Sequence, residues 1–190
     1  MKRAFAFLCM SLAASGARAE HLDVNLSDET LRGVFAGPLS AAFPRLSGVY
    51  EFGGLVGERN DESFQQFHAG LLVTGDAGAR QANVTAGLGG RIFALTGDGA
   101  DGGGLALGGM FEARLPAFNR LGVIAYGYGA PKASTFGDFE GWFEYAVSLD
   151  YQVLQGASLY GGYRQLKVDV EDFGNFTVDN GWHLGLRLTF

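Results

Sequence analysis

The chain has 190 residues with 31 glycines and 4 prolines, and its charged fraction of 18% lies below the roughly 25% usual in soluble domains. A formal charge of −6 leaves no basic surface for phosphate, so nucleic acid is excluded as a partner. Beyond residue 19 no apolar run is long enough for a spanning helix, which excludes a helical membrane protein but not a barrel whose strands are apolar on one face only.

Lys2 and Arg3, the apolar stretch from Ala4 to Ala14 and the small-residue site Ala17-Arg18-Ala19 predict a secretory leader over residues 1–19. Cleavage there makes Glu20 the first mature residue and leaves one domain, 20–190. Cys9 is the single cysteine, and it is lost with the leader. Its neighbours Phe7, Leu8 and Met10 are not those of a lipoprotein site, so the mature chain uses neither disulfide nor thiol chemistry.

The mature part reads as short strands separated by Gly, Asp and Asn clusters. Two short pieces come first, from Leu22 to Leu26 and from Leu31 to Phe35. A third lies near Tyr50 and Phe52, where the phase is ambiguous. Phe67, Ala69, Leu71 and Val73 then alternate with Gln66, His68 and Leu72. From Gln81 to Leu95, Ala82, Val84, Ala86, Leu88, Ile92 and Ala94 alternate with Gln81, Asn83, Thr85, Arg91 and Phe93. The segment from Leu105 to Leu115 places Met110, Glu112 and Arg114 on its polar side. Around Tyr126 and Tyr128 the phase is again ambiguous.

From Phe139 to Val153, every second residue (Phe139, Phe143, Tyr145, Val147, Leu149, Tyr151, Val153) is apolar, against Glu140, Trp142, Glu144, Ser148 and Asp150. Leu159 and Tyr163 oppose Ser158, Tyr160 and Arg164. The last strand sets Trp182, Leu184, Leu186, Leu188 and Phe190 against His183, Gly185, Arg187 and Thr189.

About ten strands of this length suit an all-β, single transmembrane antiparallel barrel; eight is the fallback, since bacterial barrels take even numbers. Short turns are expected at Gly75 to Ala79, Pro116 to Asn119 and Gln155-Gly156. Longer acidic outer loops are expected at Glu58 to Glu62, Gly97 to Gly104, Pro131 to Asp138 and Val170 to Asn180. Charges of both signs sit on one set of faces: Glu112, Arg114, Glu144, Asp150, Arg164 and Arg187. An arginine facing mid-bilayer lipid costs about 2–4 kcal/mol, so these six should face the lumen and fill it as a charge network. Trp182, Leu184, Leu186, Leu188 and Phe190 should be the lipid face of the closing strand. Trp182 and Phe139 are expected in the outer aromatic girdle, Tyr151 and Phe190 in the inner one.

Other motifs carry no chemistry. Gly97 to Gly102 matches G-x-G-x-x-G, but strands flank it and Asp98 and Asp101 would repel a pyrophosphate. It also lacks the spacing of a calcium loop. His68, His183, Ser158 and Asp150 are expected in the lumen without a local hydrolase motif. No catalytic residue, cofactor or metal site is expected.

Over essentially the whole mature chain the sequence resembles the YfaZ family of small outer-membrane proteins. The resemblance rests on the leader followed by a short first strand and on Gly104-Leu105-Ala106-Leu107-Gly108-Gly109. It rests also on Ser158-Leu159-Tyr160-Gly161-Gly162-Tyr163-Arg164 and on the ending Leu184-Gly185-Leu186-Arg187-Leu188-Thr189-Phe190. It implies a barrel in the outer membrane of a Gram-negative bacterium, structural or narrow and porin-like, with no enzymatic activity. The implied partners are outer-membrane lipid, lipopolysaccharide and the assembly machinery, which in such barrels commonly reads a terminal aromatic. Two other classes stay open at this point: an outer-membrane enzyme acting on lipid or peptide, and a soluble periplasmic lipocalin-like carrier.

Overall fold

In the computed structural model of the chain, residues 20–41, 43–59, 62–77, 83–97, 100–114, 116–171 and 174–190 are described. The leader, with Cys9, lies outside the described residues, as do Ala79, Gln81, Ala82, Asp98, Gly99 and Leu115.

The alternating segments become β1 (His21–Ser27), β2 (Thr30–Pro38), β3 (Gly48–Arg59), β4 (Glu62–Asp76), β5 (Asn83–Gly97) and β6 (Ala100–Arg114). They continue as β7 (Leu121–Pro131), β8 (Thr135–Gly137), β9 (Phe139–Leu154), β10 (Ala157–Val170) and β11 (Gly174–Thr189). Successive strands pair antiparallel, and β11 returns to β1 from His21↔Thr189 to Ser27↔His183, so the sheet closes on itself. The three residues of β8 continue the line of β7 along β6, after a single 3-10 turn at Lys132–Ser134. The wall is therefore a ten-stranded antiparallel barrel, and the described residues hold no α-helix. Glu20 and Phe190 exchange backbone hydrogen bonds of 3.1 and 3.0 Å, which places these two residues together at one rim. That rim is the terminal end, and the opposite rim is the loop end.

Parity sorts the side chains. Leu88 (76% exposed), Leu107 (67%) and Leu149 (59%) point outward, whereas their chain neighbours at the same heights point in. Phe52 and Tyr50 face out, Glu51 and Leu55 in, and Tyr126 and Tyr128 line the lumen, which settles the two ambiguous segments. On β10 and β11 the outward face is apolar up to Tyr163 and Trp182, whose rings meet edge-to-face at 5.9 Å. Above them come Gln165, Lys167 and Asn180. Trp182 therefore marks the upper edge of the apolar belt rather than the end of its strand, since β11 runs on to Gly174.

Two expectations are corrected. The outer connections are short, because Ala100 to Gly104 and Gly174 to Asn180 are paired strand rather than loop. Above the apolar belt the outward positions turn polar and glycine and aspartate interrupt the inward ones, so the alternation that betrays a strand fades while backbone pairing continues. Phe139 is not in an outer girdle: it is 4% exposed and faces the lumen. Asp169 pairs with Gly141 but Val170 with Phe139, so Glu140 is an extra residue, a bulge that flips the parity beyond it. Just before it, Gly137 takes φ +76°, and a Cβ there would lie 2.4 Å from the Asp101 carbonyl oxygen. Only glycine fits this reversal, which Asp138 fastens through its backbone N–H to that same oxygen, 3.0 Å.

Candidate functional site

The lumen is stratified. At the loop end it is filled by apolar side chains, among them Leu55, Phe64, Leu95, Phe139, Leu166 and Val178. Phe93 stacks on Trp142 at 4.4 Å, and the indole N–H of Trp142 donates to Gln66 Oε1 at 3.2 Å. The sequence brings these together because, toward the loop end, the inward positions of successive strands carry large apolar residues.

Beneath this plug lies the charge network. Glu144, 1% exposed, accepts from Arg32 Nη1 at 2.7 Å, from Arg91 Nη1 at 2.8 Å and from the Tyr126 hydroxyl at 2.9 Å. Arg91 also bonds Glu51 at 2.8 Å and lies over the Tyr128 ring, 3.9 Å from its centroid. The Arg32 guanidinium lies 5.2 Å over the Tyr126 ring. Glu144 thus ties β2, β5, β7 and β9 across the interior. A second cluster centres on Arg164, which donates to Asp179 at 2.5 Å, Asn25 at 2.8 Å and Thr30 at 2.8 Å. A third joins Arg114 to Glu112 at 3.1 Å and to Asp150. The fourth sits at the seam, where Arg187 donates twice to Asp23 Oδ2, at 3.1 and 3.0 Å, and Tyr160 donates to Asp23.

All six charged residues expected in the lumen are thus inside, shared among these clusters, and Asn25 joins the second to the fourth: its Oδ1 accepts from Arg164 while its Nδ2 donates to the Tyr160 hydroxyl at 2.9 Å. Glu144, Asp150 and Arg164 are fully buried, whereas Glu112, Arg114 and Arg187 lie nearer the open terminal rim. Sequence reasoning missed Arg32, Glu51, Asp23 and Asp179 as partners, and Tyr126 and Tyr128 as ring platforms. The signal for Arg32 was inward parity between Leu31 and Val34, and for Asp23 the position between Leu22 and Val24. The closing-strand face is outside as expected, with Trp182 76% and Leu184 74% exposed.

A cavity of about 250 Å³ reaches from the terminal end into the network itself, lined by Asp23, Arg32, Arg91 and Arg187 as well as by Leu72, Ser148 and His183. Ser148 Oγ lies 3.1 Å from His183 Nε2, an approach made possible by Gly162 between them, where a Cβ would sit 2.4 Å from Ser148 Oγ. His183 Nδ1 has no hydrogen-bond partner among the described residues, so no third group orients the ring as a base would need. His68 is buried above, and Ser158 pairs with Gln152 and Arg187 on neighbouring strands, away from this couple. No cluster of His, Cys, Asp and Glu able to hold a metal exists among the described residues.

The model of a family described as YfaZ precursor matches residues 4–190. No curated protein matches the chain. Among solved structures, a major outer membrane protein from Thermus thermophilus is 12% identical with a TM-score of 0.39, covering 92% of this chain and 100% of that one. Another, described under "Unveiling the Mechanism Behind the in-meso Crystallization of Membrane Proteins", is 11% identical with a TM-score of 0.36, covering 90% of this chain and 83% of the other.

Proposed function

From membership of the YfaZ family, to which this chain belongs, we propose that it is a structural barrel of the bacterial outer membrane with a closed, non-conducting lumen and no catalytic role. The observation that carries this reading is the stacking of the apolar plug directly on the buried Glu144 centre. A hydrated ion would have to displace both layers, and the lower one is held by charge pairs in a low-dielectric interior. The outward face supports the membrane part of the proposal, since its exposed Leu, Phe and Val would be costly in water and belong in lipid. Residues 1–19 act as the export leader in this reading. Partners are the surrounding lipid, lipopolysaccharide on the loop side, and the machinery that inserts the closing strand.

A narrow pore is the second reading, favoured by the cavity at the terminal end. Planar-bilayer recording of the purified barrel separates the two. No unitary conductance is expected, and steady current steps would refute closure. Recovery of the protein in the soluble periplasmic fraction would refute the membrane reading itself.

A further inference from the structure

Two connections at the terminal end share a pattern. Phe43-Pro44-Arg45-Leu46 follows β2 and Phe118-Asn119-Arg120-Leu121 follows β6, so Phe-x-Arg-Leu stands twice on one rim. A single 3-10 turn accompanies each, at Leu39–Ala41 and at Pro116–Phe118. The backbone of both is fastened: the Leu46 N–H donates to the Phe43 carbonyl at 2.9 Å, and the Gln152 N–H to the Arg120 carbonyl at 2.7 Å. Their side chains are exposed all the same, Phe43, Arg45 and Leu46 in the first and Phe118 and Arg120 in the second. Every other arginine among the described residues is in an ion pair with a carboxylate, whereas Arg45 and Arg120 are in none.

We propose that these two turns are paired anchors for anionic phospholipid, each guanidinium on one head-group phosphate and each phenylalanine on the acyl side of it. The inference rests on the outer-membrane reading above, in which the terminal rim lies at one leaflet surface. A planar guanidinium without a carboxylate is matched in charge and geometry by a phosphate. Neither connection, 39–47 or 115–120, contains an acidic residue that could receive the amine of a zwitterionic head group. Exposed phenylalanine is costly in water, and the apolar outer face reaches the second turn through Leu121, so the ring has lipid to enter. Around the rim, β3, β4, β5 and β6 lie between the two turns. A leaflet encircles the barrel and meets both, whereas a soluble partner would have to span the mouth. At the loop rim Arg59 is instead taken up by Glu29 at 3.5 Å.

The test titrates the folded full-length barrel in micelles with phosphatidylglycerol and counts bound lipid by native mass spectrometry. Wild type should fill two sites of like affinity. Arg45→Gln and Arg120→Gln should each weaken one of the two by about fivefold, the worth of one arginine at an anionic lipid surface, and the double variant should weaken both. Arg59→Gln, at the loop rim, should bind as wild type does. Phosphatidylcholine, whose choline offsets its phosphate, should fill neither site at the same concentrations. Equal titrations for all of these proteins would overturn the proposal. So would equal filling by phosphatidylcholine, or a wild-type dimer that the double variant dissociates. Heat-modifiable migration shows that each variant is folded. The count is made in micelles and reads the anchors alone; recovery of the wild-type protein in the soluble periplasmic fraction would instead overturn the location on which they rest.

Discussion

Replacing Glu144 by alanine removes the one carboxylate shared by Arg32 and Arg91. The two arginines are not affected alike. Arg91 keeps Glu51 at 2.8 Å and the face of Tyr128 at 3.9 Å. Arg32, 5% exposed, is left with the Tyr126 hydroxyl and ring but no countercharge. Breaking a buried pair from one side typically costs about 3–5 kcal/mol, because the remaining charge stays desolvated. We expect Glu144→Ala to destabilise the barrel by about that amount. Arg32→Met combined with Glu144→Leu removes both charges and fills the space, so it should recover most of the loss. Urea unfolding in lipid vesicles, followed by the fluorescence of the buried Trp142, reads both values. A loss below about 1 kcal/mol for Glu144→Ala would refute the reasoning, as would a double variant no more stable than the single one.

Mass spectrometry of the exported protein should find Glu20 at the amino terminus, and retention of Met1 or a lipid on Cys9 would contradict the leader. Leu149→Arg turns a charge into lipid and should cost about 2–4 kcal/mol. Asp150→Asn should cost clearly less in the same unfolding assay, because Arg114 keeps Glu112 at 3.1 Å. Equal effects at the two positions would contradict the assigned faces. Deletion of Leu188 to Phe190 removes the pairing with His21 and Leu22 and should abolish the heat-modifiable band in the outer-membrane fraction. Its persistence at wild-type level would show that these residues do not close the barrel.

Where a strand sets large apolar side chains outward and charged ones inward, its faces were legible in the sequence as a period of two. Leu107 against Glu112 and Leu149 against Asp150 needed nothing else. Legibility failed at three kinds of place. Above the belt, around Asp101 and Asn175, the outward face is no longer apolar and runs of Gly, Asp and Asn interrupt the alternation, so the strands read as loops. At Glu140 a single extra residue reversed the parity, and no local signal in Phe139-Glu140-Gly141 announces it. At Tyr126 and Tyr128 the outward positions are glycine and alanine beside inward tyrosines, so neither face stood out and the phase stayed ambiguous. The inner charges could be named but not paired. Arg32 and Glu144 are distant in the chain, and their meeting depends on the curvature of the whole wall.

The charge network also constrains the order of events in assembly. Arg32 and Glu144 come from β2 and β9, Arg91 and Glu51 from β5 and β3, Arg187 and Asp23 from β11 and β1. None of these pairs exists in a single hairpin. On the outer-membrane reading, a hairpin entering the bilayer alone would carry Arg32 or Arg91 without its carboxylate partner, whereas Arg164 keeps Asp179 within the β10–β11 hairpin. Pairing of Arg187 waits for the seam between the first strand and the last. On that reading these long-range pairs favour a sheet that curls as it crosses over hairpins that insert one at a time.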